Sequence, residues 1–95
     1  MRITNAHLEN LTDFINHENG YPLTAYERDA DGILKAQHLH IMVRRYNGRC
    51  HVEQIVNTGG GVRDLHHGTA RECYEFLRGM QEAIMLDNIA ERYAA

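Results

Sequence analysis

Apolar residues recur at helical spacing near the start of the chain, where Leu8, Leu11, Phe14 and Ile15 line one side and Glu9, Asn10 and Asp13 lie toward water. This predicts a short amphipathic helix with Thr4 or Asn5 capping its first amides. Asn19-Gly20 marks its end, because glycine takes the left-handed conformation that closes a helix. Pro22 then sends the chain into an extended path.

From Tyr21 to Asn57 the pattern reads as antiparallel sheet. Asp31-Gly32 predicts a tight turn between Tyr26-Glu27-Arg28 and Ile33-Leu34-Lys35, and Asn47-Gly48 predicts a two-residue hairpin turn. With Asn47-Gly48 as the turn, Tyr46 faces Arg49, Arg44 faces His51, Val43 faces Val52, Ile41 faces Gln54, His40 faces Ile55 and Leu39 faces Val56. Leu39, Ile41, Val43, Val52 and Val56 then share a packing face, while His38, His40, Met42, Arg44, His51 and Glu53 share a wet one. Ile55 breaks the alternation and is a candidate for self-association.

Thr58-Gly59-Gly60-Gly61 reads as a flexible loop. Thr69 and Glu72 form a capping box for a second helix running to about Asp87, with Ala70, Cys73, Leu77, Met80 and Ile84 as its apolar stripe, widened by Phe76 and Ala83. Gly79 in mid-helix suggests close approach to a strand or a partner helix, and joins Ile55 as a self-association candidate. The expected architecture is α+β: a three-stranded antiparallel sheet with two helices packed on one face, in the order αβββα.

The chain's 95 residues bound it to a single domain, 1–95, with one modest core. Ten basic and 13 acidic residues leave a net charge of −3, which argues against broad nucleic-acid binding. No apolar run is long enough to span a bilayer, and the polar start MRITNAHLEN shows no secretory pattern, so a cytoplasmic location is expected. Cys50 and Cys73 form no CxxC pair and read as free thiols.

Candidate chemistry is sparse. His38 and His40 share a strand face, but His51 sits two pleat positions from His40, and the adjacent pair His66-His67 does not readily aim both rings inward. Exposed histidines are therefore expected, and no metal or other cofactor. Cys50 and His51 are neighbours on a strand and point to opposite faces, the wrong geometry for an activated nucleophile. The glycine loop lacks the GxxxxGK[ST] pattern of a phosphate loop. No catalytic set is legible, so enzymatic activity is not expected. Arg44, Arg45 and Arg49 around the hairpin, with Arg63 and Arg71, are the residues available for a nucleic-acid or anion contact.

Two resemblances bear on origin and fold. Gly20-Tyr21-Pro22, the stretch His51-Val52-Glu53-Gln54-Ile55-Val56-Asn57, Gly59-Gly60-Gly61-Val62, and the stretch from Gly68 to Met80 resemble a group of small uncharacterised proteins of tailed bacteriophages and prophages, over about 60 residues. This implies a phage or prophage accessory protein in the host bacterial cytoplasm. The element order also resembles that of double-stranded RNA-binding domains. Those domains grip phosphate with basic residues at the start of the last helix, where this chain has Thr69-Ala70-Arg71-Glu72. The leading expectation is a protein that binds a host or phage protein, with a homodimer as a further candidate. A nucleic-acid-binding module and a small metal-binding protein are the alternatives.

Overall fold

Two helices cover one face of a three-stranded antiparallel sheet in the computed structural model, which describes residues 2–93. In chain order the elements are α1 (Asn5–Asn19), β1 (Tyr26–Arg28), β2 (Leu34–Ala36), β3 (Ile41–Tyr46), β4 (Arg49–Ile55), β5 (Val62–Gly68) and α2 (Ala70–Tyr93). The order expected from sequence is therefore enlarged. β1 and β2 form a separate two-stranded sheet, and the main sheet runs β3-β4-β5.

Thr4 starts α1. Its hydroxyl accepts from the His7 amide at 3.3 Å, and His7 Nδ1 accepts from the Thr4 amide at 3.0 Å, so a histidine completes the reciprocal box usually closed by Glu or Gln. Gly20 ends the helix at φ 70°, with its N–H donating to the carbonyls of Asn16 and His17. Thr69 and Glu72 form the second box, with Glu72 N to Thr69 Oγ1 and Thr69 N to Glu72 Oε1 both at 3.1 Å. Leu8, Leu11 and Ile15 of α1, Cys73 and Leu77 of α2, and Ile41, Cys50 and Val52 of the sheet make one buried cluster. Burial of these side chains is the main force holding the two layers together.

The β3-β4 register runs from Tyr46↔Arg49 to Ile41↔Gln54, as the Asn47-Gly48 turn requires. Asn47 (φ 54°) and Gly48 (φ 73°) take the positive angles of that turn. The first hairpin differs from expectation: Arg28 pairs with Leu34, leaving a five-residue loop from 29 to 33. Asp29 organises this loop by accepting from the amides of Asp31 and Ile33 at 2.9 and 3.0 Å. It also pairs with Lys35 at 3.2 Å.

β5 was not foreseen. Only Val62 and Leu65 are aliphatic in Val-Arg-Asp-Leu-His-His-Gly, so no alternating apolar pattern marks it. It forms because β4 offers a template of backbone groups, with pairings from Cys50↔Gly68 to Ile55↔Val62.

Faces also differ from expectation. Leu39 and Val56 lie beyond the ends of β3 and β4 and are exposed. His40 and Glu53 are buried, not wet; the His40 ring donates from Nδ1 to the Pro22 carbonyl at 2.8 Å. Ile55 is fully buried, which removes its side chain from any contact with a second copy. Gly79 is exposed, and a Cβ there would meet nothing within 4 Å, so it marks no close approach among the described residues.

Candidate functional site

The face of the sheet turned away from the helices carries a row of stacked rings. Tyr46 of β3 stacks on His51 of β4 at 3.9 Å between centroids and 4° between planes; His51 stacks on His67 of β5 at 5.7 Å and 26°. His67 Nδ1 lies 2.8 Å from Asp64 Oδ2. Beside this row, Glu53 is buried under Tyr46 and Arg44: the Tyr46 hydroxyl donates to Oε2 at 3.0 Å, and Arg44 Nε lies 3.4 Å from Oε1. Donation to Glu53 holds the Tyr46 proton and pushes the phenol above its ordinary value of 10.

A β-bulge creates this grouping. Residues three apart on a regular strand point to opposite faces, yet Asp64 and His67 meet on the same one. Val52 pairs with His66 and Glu53 with Asp64, which leaves Leu65 as the extra residue on β5. Leu65 packs against the core and His66 stacks on Phe76 of α2 at 4.8 Å, so two consecutive side chains turn inward while Asp64 and His67 turn outward. From sequence, His51 lies nearest to His38 and His40, and the adjacent His66 and His67 do not readily both aim inward. Strand alternation separates that pair, turning His66 inward and His67 outward opposite His51, and the bulge at Leu65 brings Asp64 to the same side.

The five arginines do not gather on one face, although Arg45 and Arg49 border one depression at the hairpin end with Gly48, Cys50 and Ala70. Strand alternation places Arg44 on the outer face and Arg45 on the helix-covered side, where Arg45 borders a shallow depression with Asn5, Leu8, Glu9 and Val43. Arg49 lies at the hairpin end near Glu72, whose carboxyl it helps to hold ionised. Arg63 donates to Gln54 Oε1 at 2.8 Å toward the other end of the sheet, and Arg71 pairs with Glu75 at 3.5 Å on α2. An electropositive stripe needs such groups side by side on one face.

Asn57 closes the glycine loop as an anion site. Its Oδ1 accepts from the amides of Gly59 and Gly61, both at 3.0 Å, and its carbonyl accepts from Gly60 at 3.3 Å. The amides a phosphate would need are already bonded. Cys50 and His51 point to opposite faces as expected, with Cys50 buried against Cys73, whose thiol donates to the Cys50 carbonyl at 3.3 Å.

A second feature lies on α2. Its core-facing stripe ends at Ile84; beyond it, Asp87, Asn88 and Glu91 occupy the same side. The apolar residues of the distal half instead lie on another face: Met85, Leu86, Ile89 and Tyr93 are 44, 64, 46 and 81% exposed. Cys73 and Ile89 are sixteen residues apart, about four and a half turns, and so point to nearly opposite sides of the helix. On the proximal half the same outward side carries the ion pairs Arg71–Glu75 and Arg78–Glu82. The sequence signal was present in the spacing 85, 86, 89, 93, but the expected helix ended near Asp87 and cut it off.

Among the described residues no helix is long and apolar enough to cross a membrane. Compared with known protein families, curated proteins and solved structures, the chain matches none.

Proposed function

We propose that this chain works by protein–protein contact, as a small accessory protein, and that the distal half of α2 pairs with the same segment of a second copy. The phage or prophage origin implied by the sequence resemblance, and work in a bacterial cytoplasm, belong to the same proposal. The carrying observation is the switch of apolar residues on α2 after Ile84, which leaves Met85, Leu86, Ile89 and Tyr93 as an outward stripe continuous over more than two turns. Such a stripe is self-complementary: two copies related by a two-fold axis bury it against itself, without placing like charges at its centre. The ion pair Arg78–Glu82, one turn before it, supplies a polar rim.

A single introduced cysteine tests this contact, because Cys50 and Cys73 are both buried. Under mild oxidation Leu86→Cys is expected to trap a covalent dimer. Ile33→Cys, at an equally exposed position on the small hairpin, is expected to stay monomeric. Equal trapping at both positions, or none at Leu86→Cys, would overturn the proposal.

A further inference from the structure

We infer that the outer sheet face binds a divalent transition-metal ion of the zinc class through His51, Asp64 and His67. Each of the three offers a ligand atom, and these atoms lie within 4.8 Å of one another. The residues come from two adjacent strands, and backbone pairing fixes their spacing: His51 is directly opposite His67, and the bulge at Leu65 returns Asp64 to their side. Side chains supported on paired strands keep their separation more closely than side chains on a loop.

The donor set selects the class of ion. Two imidazoles and one carboxylate suit zinc, nickel or copper better than calcium or magnesium, which take oxygen ligands. Ligand atoms around a four-coordinate zinc stand about 2 Å from the metal, so the cluster must contract modestly. The exposure of Asp64 and His67 leaves room for that rotation. A three-residue set leaves a coordination position for water or a partner's side chain. A shallow depression of about 330 Å³ along β5, lined by Asp64, Leu65, His66 and His67, borders the cluster.

Neighbouring groups favour a cation there. Glu53 is directly opposite Asp64 in the sheet, and its buried Oε1 accepts no hydrogen bond among the described residues, with the Arg44 guanidinium 3.4 Å away. Two carboxylates against one arginine give this part of the face a negative balance. Asp64 Oδ2 and His67 Nδ1 already stand 2.8 Å apart, and an ion ligated by both would take the place of the proton they share. Tyr46 stacked on His51 limits how that ring turns.

Titration calorimetry with zinc chloride alone, on the purified full chain, tests the site. One ion per chain is expected. His51→Ala, Asp64→Ala and His67→Ala should each weaken binding at least about tenfold. His38→Ala, at an exposed histidine outside the cluster, should leave binding unchanged. Circular dichroism of each variant checks that the fold persists, and a cobalt-substituted sample should show visible absorption that is lost in His67→Ala. Binding that drops equally in His38→Ala, or survives in all three cluster variants, overturns the assignment.

Discussion

Asn16 uses its side chain as a strand would use its backbone: Oδ1 accepts from the Ile41 amide and Nδ2 donates to the Ile41 carbonyl, both at 2.9 Å. The pair is fully buried and joins the last turn of α1 to the first residue of β3. Removing the amide leaves two buried backbone groups of Ile41 without partners, at about 1–3 kcal/mol each. Asn16→Ala should therefore lose at least about 2 kcal/mol in a urea melt. A loss under about 0.5 kcal/mol would mean that water replaces the amide without cost.

Leu39 has φ 82°, a left-handed conformation that costs a non-glycine residue about 1–3 kcal/mol. The Gln54 side chain donates to the Leu39 carbonyl at 2.9 Å, and the Leu39 amide donates to Ile55 at 2.8 Å, so the turn is held from both sides. Leu39→Gly should be neutral or stabilising by up to about 1 kcal/mol, since the relief of strain is set against greater freedom of the unfolded chain. Leu39→Val should destabilise, because a β-branched residue fits this conformation worst. Thermal melts of the two variants should move apart; a Leu39→Gly melt falling below that of Leu39→Val contradicts the reading.

Burial raises the Cys73 thiol to about 11, so it carries almost no thiolate at neutral pH. Neither Cys73 nor Cys50 should react with iodoacetamide in the folded protein at about pH 8, and both should react in denaturant. Rapid native labelling of either, read by mass spectrometry, would show that the α2–β4 contact opens readily.

Acid should weaken the fold through two carboxylates. The Thr69 amide holds Glu72 below its ordinary 4.5, and the Ile33 amide holds Asp29 below 3.8. Groups with depressed folded values stabilise above their unfolded values and lose that contribution as pH falls through the folded ones. The melting temperature should thus fall as pH drops below about 4.5, and Glu72→Gln with Asp29→Asn should flatten that slope. An unchanged slope in the double variant contradicts this origin.

Features set by short-range rules were legible in the sequence. Asn47-Gly48 determined the β3-β4 register because that turn admits few residue types, and Thr69 with Glu72 marked the start of α2. Leu77, at the centre of the expected stripe, is fully buried. What depends on a partner strand was not legible. β5 and its bulge follow from which β4 groups are available for pairing, and nothing in Arg63-Asp64-Leu65-His66 announces that Leu65 is the unpaired residue. Asn16 looked like an ordinary polar residue near a helix end, because its partner Ile41 lies 25 positions away. The distal stripe of α2 was legible but lost to a premature helix end.

Molar mass measured by light scattering over a dilution series tests the central claim, that the outward stripe of α2 joins two copies. The wild-type chain should approach twice 10.9 kDa at high concentration and return to 10.9 kDa on dilution, while Leu86→Glu combined with Ile89→Glu should remain at 10.9 kDa throughout. Moderate salt should leave the wild-type series unchanged, because the contact is apolar. A wild-type mass of 10.9 kDa at every concentration, or a double variant that pairs as well as the wild type, would contradict it.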